Sequence, residues 1–202
     1  MKWSIAYVPI FVDAELFLSN IKDFKNLHLS QAPCKGQVKG GKLNGYGVQT
    51  LECGTTYSCC FYNGLKDGFG NATYHDGSKY SGEWYQDKLH GQGKYTWISG
   101  AVYKGNYERG QMTGHGIYTD TDGNFYEGQF LNGVEHGQGR KIIKDEQVYE
   151  GQFVNGKFHG QGKMTYKSGE VQEGEWNDNE FISGEGFIMV EKPLFTFSIE
   201  RW

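Results

Sequence analysis

Three histidines, His90, His136 and His159, each stand immediately before a Gly-x-Gly and are obvious first candidates for chemistry. They occupy one position of a repeating pattern. Equivalent atoms of neighbouring units in a sheet would lie about 10 Å apart, too far for a shared metal whose imidazole ligands sit near 2 Å. They are read as turn residues that hydrogen-bond locally. Four cysteines, Cys34, Cys53, Cys59 and Cys60, crowd one end of the chain without a CxxC pair. A zinc site needs four convergent ligands, so these are expected to be free, buried thiols in a reducing compartment. The Gly-x-Gly pairs invite a nucleotide-binding reading, but that loop must open a helix and here each pair leads into another strand. No Ser-His-Asp or Cys-His set can be assembled. The sequence therefore names no catalytic residue, no cofactor and no metal ligand, and the chain is read as not an enzyme.

Charge narrows the partners. The formal net charge is −4 with both signs interspersed. A nucleic-acid binder needs a basic face to displace counterions, and a lipid-binding surface needs a polybasic cluster. The charges are nevertheless uneven. From Glu170 to Glu185 run six acids, Glu170, Glu173, Glu175, Asp178, Glu180 and Glu185, with no Lys or Arg. The early part instead carries Lys35, Lys39 and Lys42 against Glu52. Glu173, Glu175, Asp178 and Glu180 are thus a candidate acidic docking patch. The polarity also suits head-to-tail self-association.

The element that must position all of these is a repeat. Cys34, Tyr57, Tyr80, Tyr103, Tyr126, Tyr149 and Gln172 follow one another at steps of 23 residues. Two places on stand Gly36, Cys59, Gly82, Gly105, Gly128, Gly151 and Gly174, and two further on Val38, Phe61, Trp84, Tyr107, Phe130, Phe153 and Trp176. This period-two alternation marks a strand with one packed face. Turn signals follow, such as Asn63-Gly64, Asn132-Gly133 and Asn155-Gly156, then the glycine pairs Gly91/Gly93, Gly114/Gly116, Gly137/Gly139 and Gly160/Gly162. In the last unit the pair, Gly184 and Gly186, is displaced by an insertion. A second short strand carries Trp97 or Tyr166 and ends at an Asp-Gly or Ser-Gly turn. Each unit is expected to be two strands of about five residues. The rings of Tyr57, Phe61, Tyr80, Trp84, Trp97, Tyr103, Tyr107, Tyr126, Phe130, Tyr149, Phe153, Tyr166 and Trp176 should form a thin core, with glycine leaving room for them over the backbone. The fold class is all-β: an elongated, twisted antiparallel β-meander of tandem 23-residue hairpins.

Residues 34–190 hold the repeats. Residues 1–33 read as an N-terminal capping segment. Trp3–Tyr7 alternates like a strand, and Asp13–Phe24 reads as a helix with Phe17, Ile21 and Phe24 on one face. Residues 191–202, with alternating Phe195, Phe197 and Ile199, read as a capping strand. Both ends are expected to shield the open edges of the sheet or to dock a partner. No stretch approaches the roughly 20 apolar residues of a spanning helix, and the short apolar run near Pro9 has no small-residue cleavage site, so the chain is expected to be soluble and intracellular.

The motif Tyr-x-Gly-x-(Trp/Phe/Tyr), followed by Gly-x-Gly, an aromatic and Asp/Ser-Gly, resembles the MORN repeat (membrane occupation and recognition nexus). Tyr80–Gly93 and Tyr149–Gly162 match it best. Units one, two and seven depart from it at Cys34 and Val38, at Cys59, and at Gln172. The resemblance implies a non-catalytic scaffold for protein–protein interaction in a larger assembly, in a cilium or flagellum, as in radial-spoke heads of the axoneme, or in the cytoskeleton. Two alternatives follow from the same family: a peripheral membrane or phosphoinositide-binding module, disfavoured by charge, and a regulatory partner of an enzyme.

Overall fold

The computed structural model describes residues 25–29, 32–143 and 147–189, with side chains from 35 to 143 and from 147 to 185. The expected strand and helix before Lys25, and the capping strand after 190, lie outside the described residues. Among the described residues, fifteen strands form one antiparallel sheet in sequence order. They are β1 (Lys25–Leu29), β2 (Ala32–Lys39), β3 (Lys42–Thr50), β4 (Thr56–Tyr62), β5 (Leu65–Thr73), β6 (Lys79–Tyr85), β7 (Lys88–Thr96) and β8 (Val102–Glu108). Then follow β9 (Gln111–Thr119), β10 (Phe125–Leu131), β11 (Val134–Ile143), β12 (Gln147–Val154), β13 (Lys157–Thr165), β14 (Glu170–Asn177) and β15 (Glu180–Met189). From β2 onward the strands make seven consecutive hairpins, and β1 adds a strand that the sequence did not signal.

The hairpins turn where the sequence places them. Asn63-Gly64, Arg109-Gly110, Asn132-Gly133 and Asn155-Gly156 all have positive φ at both residues, as two-residue turns matching the twist of the strands require. Gln86-Asp87 and Asp178-Asn179 adopt the same conformation without glycine. There the second side chain reaches the preceding hairpin. Asp87 Oδ1 accepts from the Lys66 N–H at 3.0 Å, and Asn179 Oδ1 accepts from the Phe158 N–H at 2.9 Å.

The strands are longer than the expected five residues, between seven and ten in the repeats. The reason is the Gly-x-Gly pair, which lies inside the second strand of each hairpin rather than between turn and strand. In β8–β9 the register runs Gly105↔Gly116 and then Asn106↔Thr113, so Gly114 and His115 bulge away from β8. They still pair with β10, as Gly114↔Phe130 and His115↔Gln129. Pairing on the far side keeps the strand intact through the bulge.

The two glycines of the pair do different work. Gly114 has φ +58 and a Cβ there would meet only the flexible Asn106 amide at 3.1 Å. A Cβ on Gly116 would lie 2.5–2.7 Å from the Tyr103 ring and hydroxyl. Gly114→Ala is expected to cost about 1–2 kcal/mol, the strain of a left-handed alanine. Gly116→Ala should cost about 3 kcal/mol or more, because the ring must leave its seat. Chemical denaturation of the two variants measures the difference, and equal losses would contradict the division of roles.

Candidate functional site

The second glycine of each pair, or the first (Gly184) in the last unit, belongs to a row that crosses the sheet. Gly36, Gly47, Cys59, Gly70, Gly82, Gly93, Gly105, Gly116, Gly128, Gly139, Gly151, Gly162, Gly174 and Gly184 pair in turn across fourteen consecutive strands. Cys59 is the one departure. On this row lie the tyrosines. Tyr80, Tyr103, Tyr126 and Tyr149 are buried, each over a Gly–Gly pair of its own hairpin. Each hydroxyl donates to the carbonyl where the register breaks: Tyr80 to Glu83 O (2.8 Å), Tyr103 to Asn106 O (3.0 Å), Tyr126 to Gln129 O (2.8 Å) and Tyr149 to Gln152 O (3.1 Å).

Edge-to-face contacts join one unit to the next. Tyr103 packs on Tyr107 at 5.2 Å and on Phe130 of the following hairpin at 5.0 Å. Tyr126 repeats this with Phe130 and Phe153, and Tyr149 with Phe153 and Trp176. Phe61, Trp84, Tyr107, Phe130, Phe153 and Trp176 are buried in this zigzag. Tyr57, Trp97 and Tyr166 are only half-buried. Tyr57 lacks the glycine seat because Cys59 and Gly70 form its pair, and it packs instead beneath Lys66 Nζ, 4.3 Å from its ring centroid.

The sequence-predicted histidines sit at the bulges, in strands rather than turns. His90, His136 and His159 oppose Glu83, Gln129 and Gln152. The His136 and His159 backbone carbonyls each accept from a tyrosine hydroxyl at 3.4 Å, while the His90 ring lies against Tyr85 with its Nδ1 buried and without a partner. Among the described residues no cluster of His, Cys, Asp or Glu could hold a metal. Of the expected buried thiols, Cys59 is buried, Cys60 half-buried and Cys53 exposed, because Cys53 falls in the loop between β3 and β4. Glu173, Glu175, Asp178 and Glu180 are exposed on the last hairpin. Three of them meet the preceding one: Glu173 lies 3.9 Å from Lys163 Nζ, Asp178 lies 3.3 Å from Lys157 Nζ, and Glu175 accepts from Gln161 Nε2 at 3.0 Å.

The strongest break in the aromatic face was not singled out from the sequence. Lys141 pairs with Tyr126 on the packed side, at the place where the neighbouring units carry Tyr118 and Met164. Glu135 stands opposite Phe130, where those units carry Met112 and Phe158. The Lys141 ammonium bonds both Glu135 oxygens at 2.8 and 2.7 Å, with the side chains only 26% and 15% exposed. Two charged residues thus replace two apolar ones, and a cavity of about 420 Å³ opens beside them. Its walls include Tyr118, Phe125, Tyr126, Ile143 and Phe158, with Asp120 and Asn124 at its rim. The signal was present in the repeat alignment as a Lys and a Glu in apolar columns.

Burial pushes the Tyr103 and Tyr149 phenols up to about 12, and raises those of Tyr80, Tyr107 and Tyr126 further. A folded pKa above the unfolded value near 10 means that the folded state holds its proton longer. Stability from these groups is therefore complete below about pH 10 and is lost as pH rises from there through the folded values. The sheet should unfold cooperatively on that alkaline limb, with tyrosinate absorbance and circular dichroism changing together. Ionisation of all tyrosines with the sheet intact would contradict the buried hydroxyl contacts.

The MORN repeat family matches residues 34–52, 60–79, 80–102, 103–125, 126–146 and 149–171. The seventh hairpin, β14–β15, continues the sheet beyond these six matches. No curated protein matches the chain by sequence. Among solved structures, the chain is similar to the wild-type TCP10 domain of Danio rerio CPAP, with 15% identity, TM-score 0.43, and coverage of 80% of this chain and 73% of that one. It is also similar to the SAS-4 (dCPAP) TCP domain of Drosophila melanogaster, solved in complex with a proline-rich motif of Ana2 (dSTIL), with 10% identity, TM-score 0.42 and 85% of each chain covered. Repeats of this kind build structural and protein-interaction modules, and with six matched copies over most of its length the chain belongs to the MORN repeat family.

Proposed function

We propose that the chain is a non-catalytic scaffold that seats a segment of a partner protein in the groove beside Lys141 and Glu135, within a ciliary, axonemal or cytoskeletal assembly. The observation that carries this reading is the groove itself. Aromatic walls offer apolar contact, while a half-buried ion pair and the rim amide and carboxylate of Asn124 and Asp120 offer a few directed polar contacts. Protein interfaces combine these two components, aromatic anchors and sparse polar groups. The last hairpin, with its exposed acids, would give a bound partner a preferred orientation along the sheet. The ciliary setting rests on the resemblance of the repeats to radial-spoke and cytoskeletal MORN proteins. Peripheral attachment to a membrane is the weaker alternative, because the net charge is −4 and the sequence holds no polybasic cluster.

The test copies the neighbouring unit. Glu135→Met together with Lys141→Tyr installs the residues that Met112 and Tyr118 supply one repeat earlier, which should fill the groove and leave the fold intact. Affinity capture from ciliated cells with mass spectrometry should recover axonemal or cytoskeletal proteins with the natural chain and lose them with the double variant at unchanged thermal stability. Recovery of a single kinase or transferase would overturn the scaffold reading. Salt-sensitive flotation with anionic vesicles would favour the membrane alternative.

A further inference from the structure

The face of the sheet opposite the tyrosines is mixed: Leu131, Val134 and Val154 are exposed at the tips of units five and six, and the region that carries exposed aromatic rings lies near the start of the array. Two rows define this face. The outer row follows the hairpin tips: Lys39 and Lys42, Tyr62 and Leu65, Tyr85 and Lys88, Glu108 and Gln111, in paired strands. The inner row follows the bulges. In units three to six it holds Glu83, Gln92, Asn106, His115, Gln129, Gln138, Gln152 and Gln161, and several of these side chains are bonded. Glu83 Oε1 accepts from the Gln92 N–H at 3.0 Å, and Gln129 Oε1 accepts from the Gln138 N–H at 3.0 Å.

In the first two units the inner row is instead Gln37, which accepts from the Tyr46 N–H at 3.1 Å, followed by Tyr46, Cys60 and Phe69. Tyr46 pairs with Cys60 and its hydroxyl bonds Ser58 on the same face. Phe69 is 60% exposed, Tyr62 62%, Tyr85 52% and Leu65 43%. These residues lie on the neighbouring strands β3 to β6, with Glu83 opposite Phe69, and form one largely apolar patch. Exposed lysines, Lys39 and Lys42 on one side and Lys88 on the other, border it along the tips.

The chain itself enters the sheet beside this patch. In β1, Lys25 pairs with Gly36 and Leu29 with Ala32. Followed backwards from Lys25, the strand direction points to the edge that carries Lys39, Lys42, Tyr62 and Leu65, two to three strands away. Three strand spacings are about 14 Å. The 24 residues before Lys25 could span up to roughly 80 Å extended, so reach does not limit them. They include Trp3, Tyr7, Phe11, Phe17, Ile21 and Phe24, together with the acids Asp13, Glu15 and Asp23 that suit a lysine border.

We propose that residues 1–24 of this same chain dock on the Tyr62–Phe69–Tyr85 patch and cover it. The stripe Phe17, Ile21 and Phe24 supplies the apolar face that meets the rings. The docking makes the first two units, whose glycine row is broken at Cys59, the anchored end of the repeat array.

The cysteines provide the readout in the full chain. Cys53 is exposed, Cys59 is buried, and Cys60 sits within the patch. Peptide-resolved thiol labelling should find Cys53 fast, Cys59 slow and Cys60 protected. Phe17→Asp with Ile21→Asp should raise the Cys60 rate by about tenfold while Cys59 stays slow, since only local opening is needed. From the other side, Tyr62→Glu with Phe69→Gln, which copies Glu108 and Gln92, should speed hydrogen exchange in peptides from residues 1–24. Cys60 labelling as fast as Cys53 in the natural chain would overturn the proposal. So would either double variant leaving its readout unchanged, or a Cys60 protection that grows with protein concentration, which would mark a second copy as the occupant.

Discussion

A tyrosine ring lying flat across two opposed glycines is the contact on which the rest of this sheet depends. A single-layer sheet has no second layer to pack against, so its apolar face must be thin and must cover itself. The Gly–Gly pair removes two Cβ atoms and lets the ring approach the backbone. The hydroxyl then reaches the carbonyl at the bulge, as Tyr103 does with Asn106 O at 3.0 Å. One side chain thus supplies the core of its own hairpin and holds the bulge in place. The same ring presents a face to the edge of the next unit's aromatic, so the device also transmits packing from unit to unit. Contributions of about 1 kcal/mol for such a hydrogen bond and about 0.5–1.5 kcal/mol for each edge-to-face pair are modest singly, but they recur in every repeat.

Departures from the device mark where the molecule does something other than repeat. Cys59 puts a side chain into the glycine row, and Tyr57 yields its seat and becomes half-exposed beneath Lys66. Lys141 and Glu135 put charge into apolar columns, and a groove opens there. In a regular array a deviating residue costs stability unless something compensates. Lys141 and Glu135 compensate each other by a two-oxygen ion pair, and aromatic side chains line the groove around them. The groove is thus a subtraction from the core and not an addition to it.

The two faces of the sheet then divide the work. The tyrosine face holds the fold together and, at one point, opens into the groove beside Lys141 and Glu135. The opposite face carries an inner ladder of Gln, Asn and Glu in its middle units, interrupted near the start of the array by Tyr46, Tyr62, Phe69 and Tyr85, with Leu131, Val134 and Val154 exposed at later hairpin tips. Because the strands pair in sequence order in one sheet with a bulge at every hairpin, both surfaces are presented at a repeating spacing, which is the property a scaffold needs.

The sequence by itself determined what depends on neighbours along the chain. Asn132-Gly133 and its equivalents specify two-residue turns through their tolerance of positive φ, and Tyr80-Ser-Gly-Glu-Trp84 specifies which face is packed through period-two alternation. With a fixed step of 23, these local rules imply one antiparallel meander and a family resemblance. Only the tertiary structure decided what depends on register between strands. The position of Gly114 within β9, the row of glycines that crosses the hairpins with its one break at Cys59, and the meeting of Lys141 with Glu135 all require knowing which residue opposes which. A bulge shifts that opposition by two places without any mark in the local alternation, because the residues that leave one neighbour remain paired to the other.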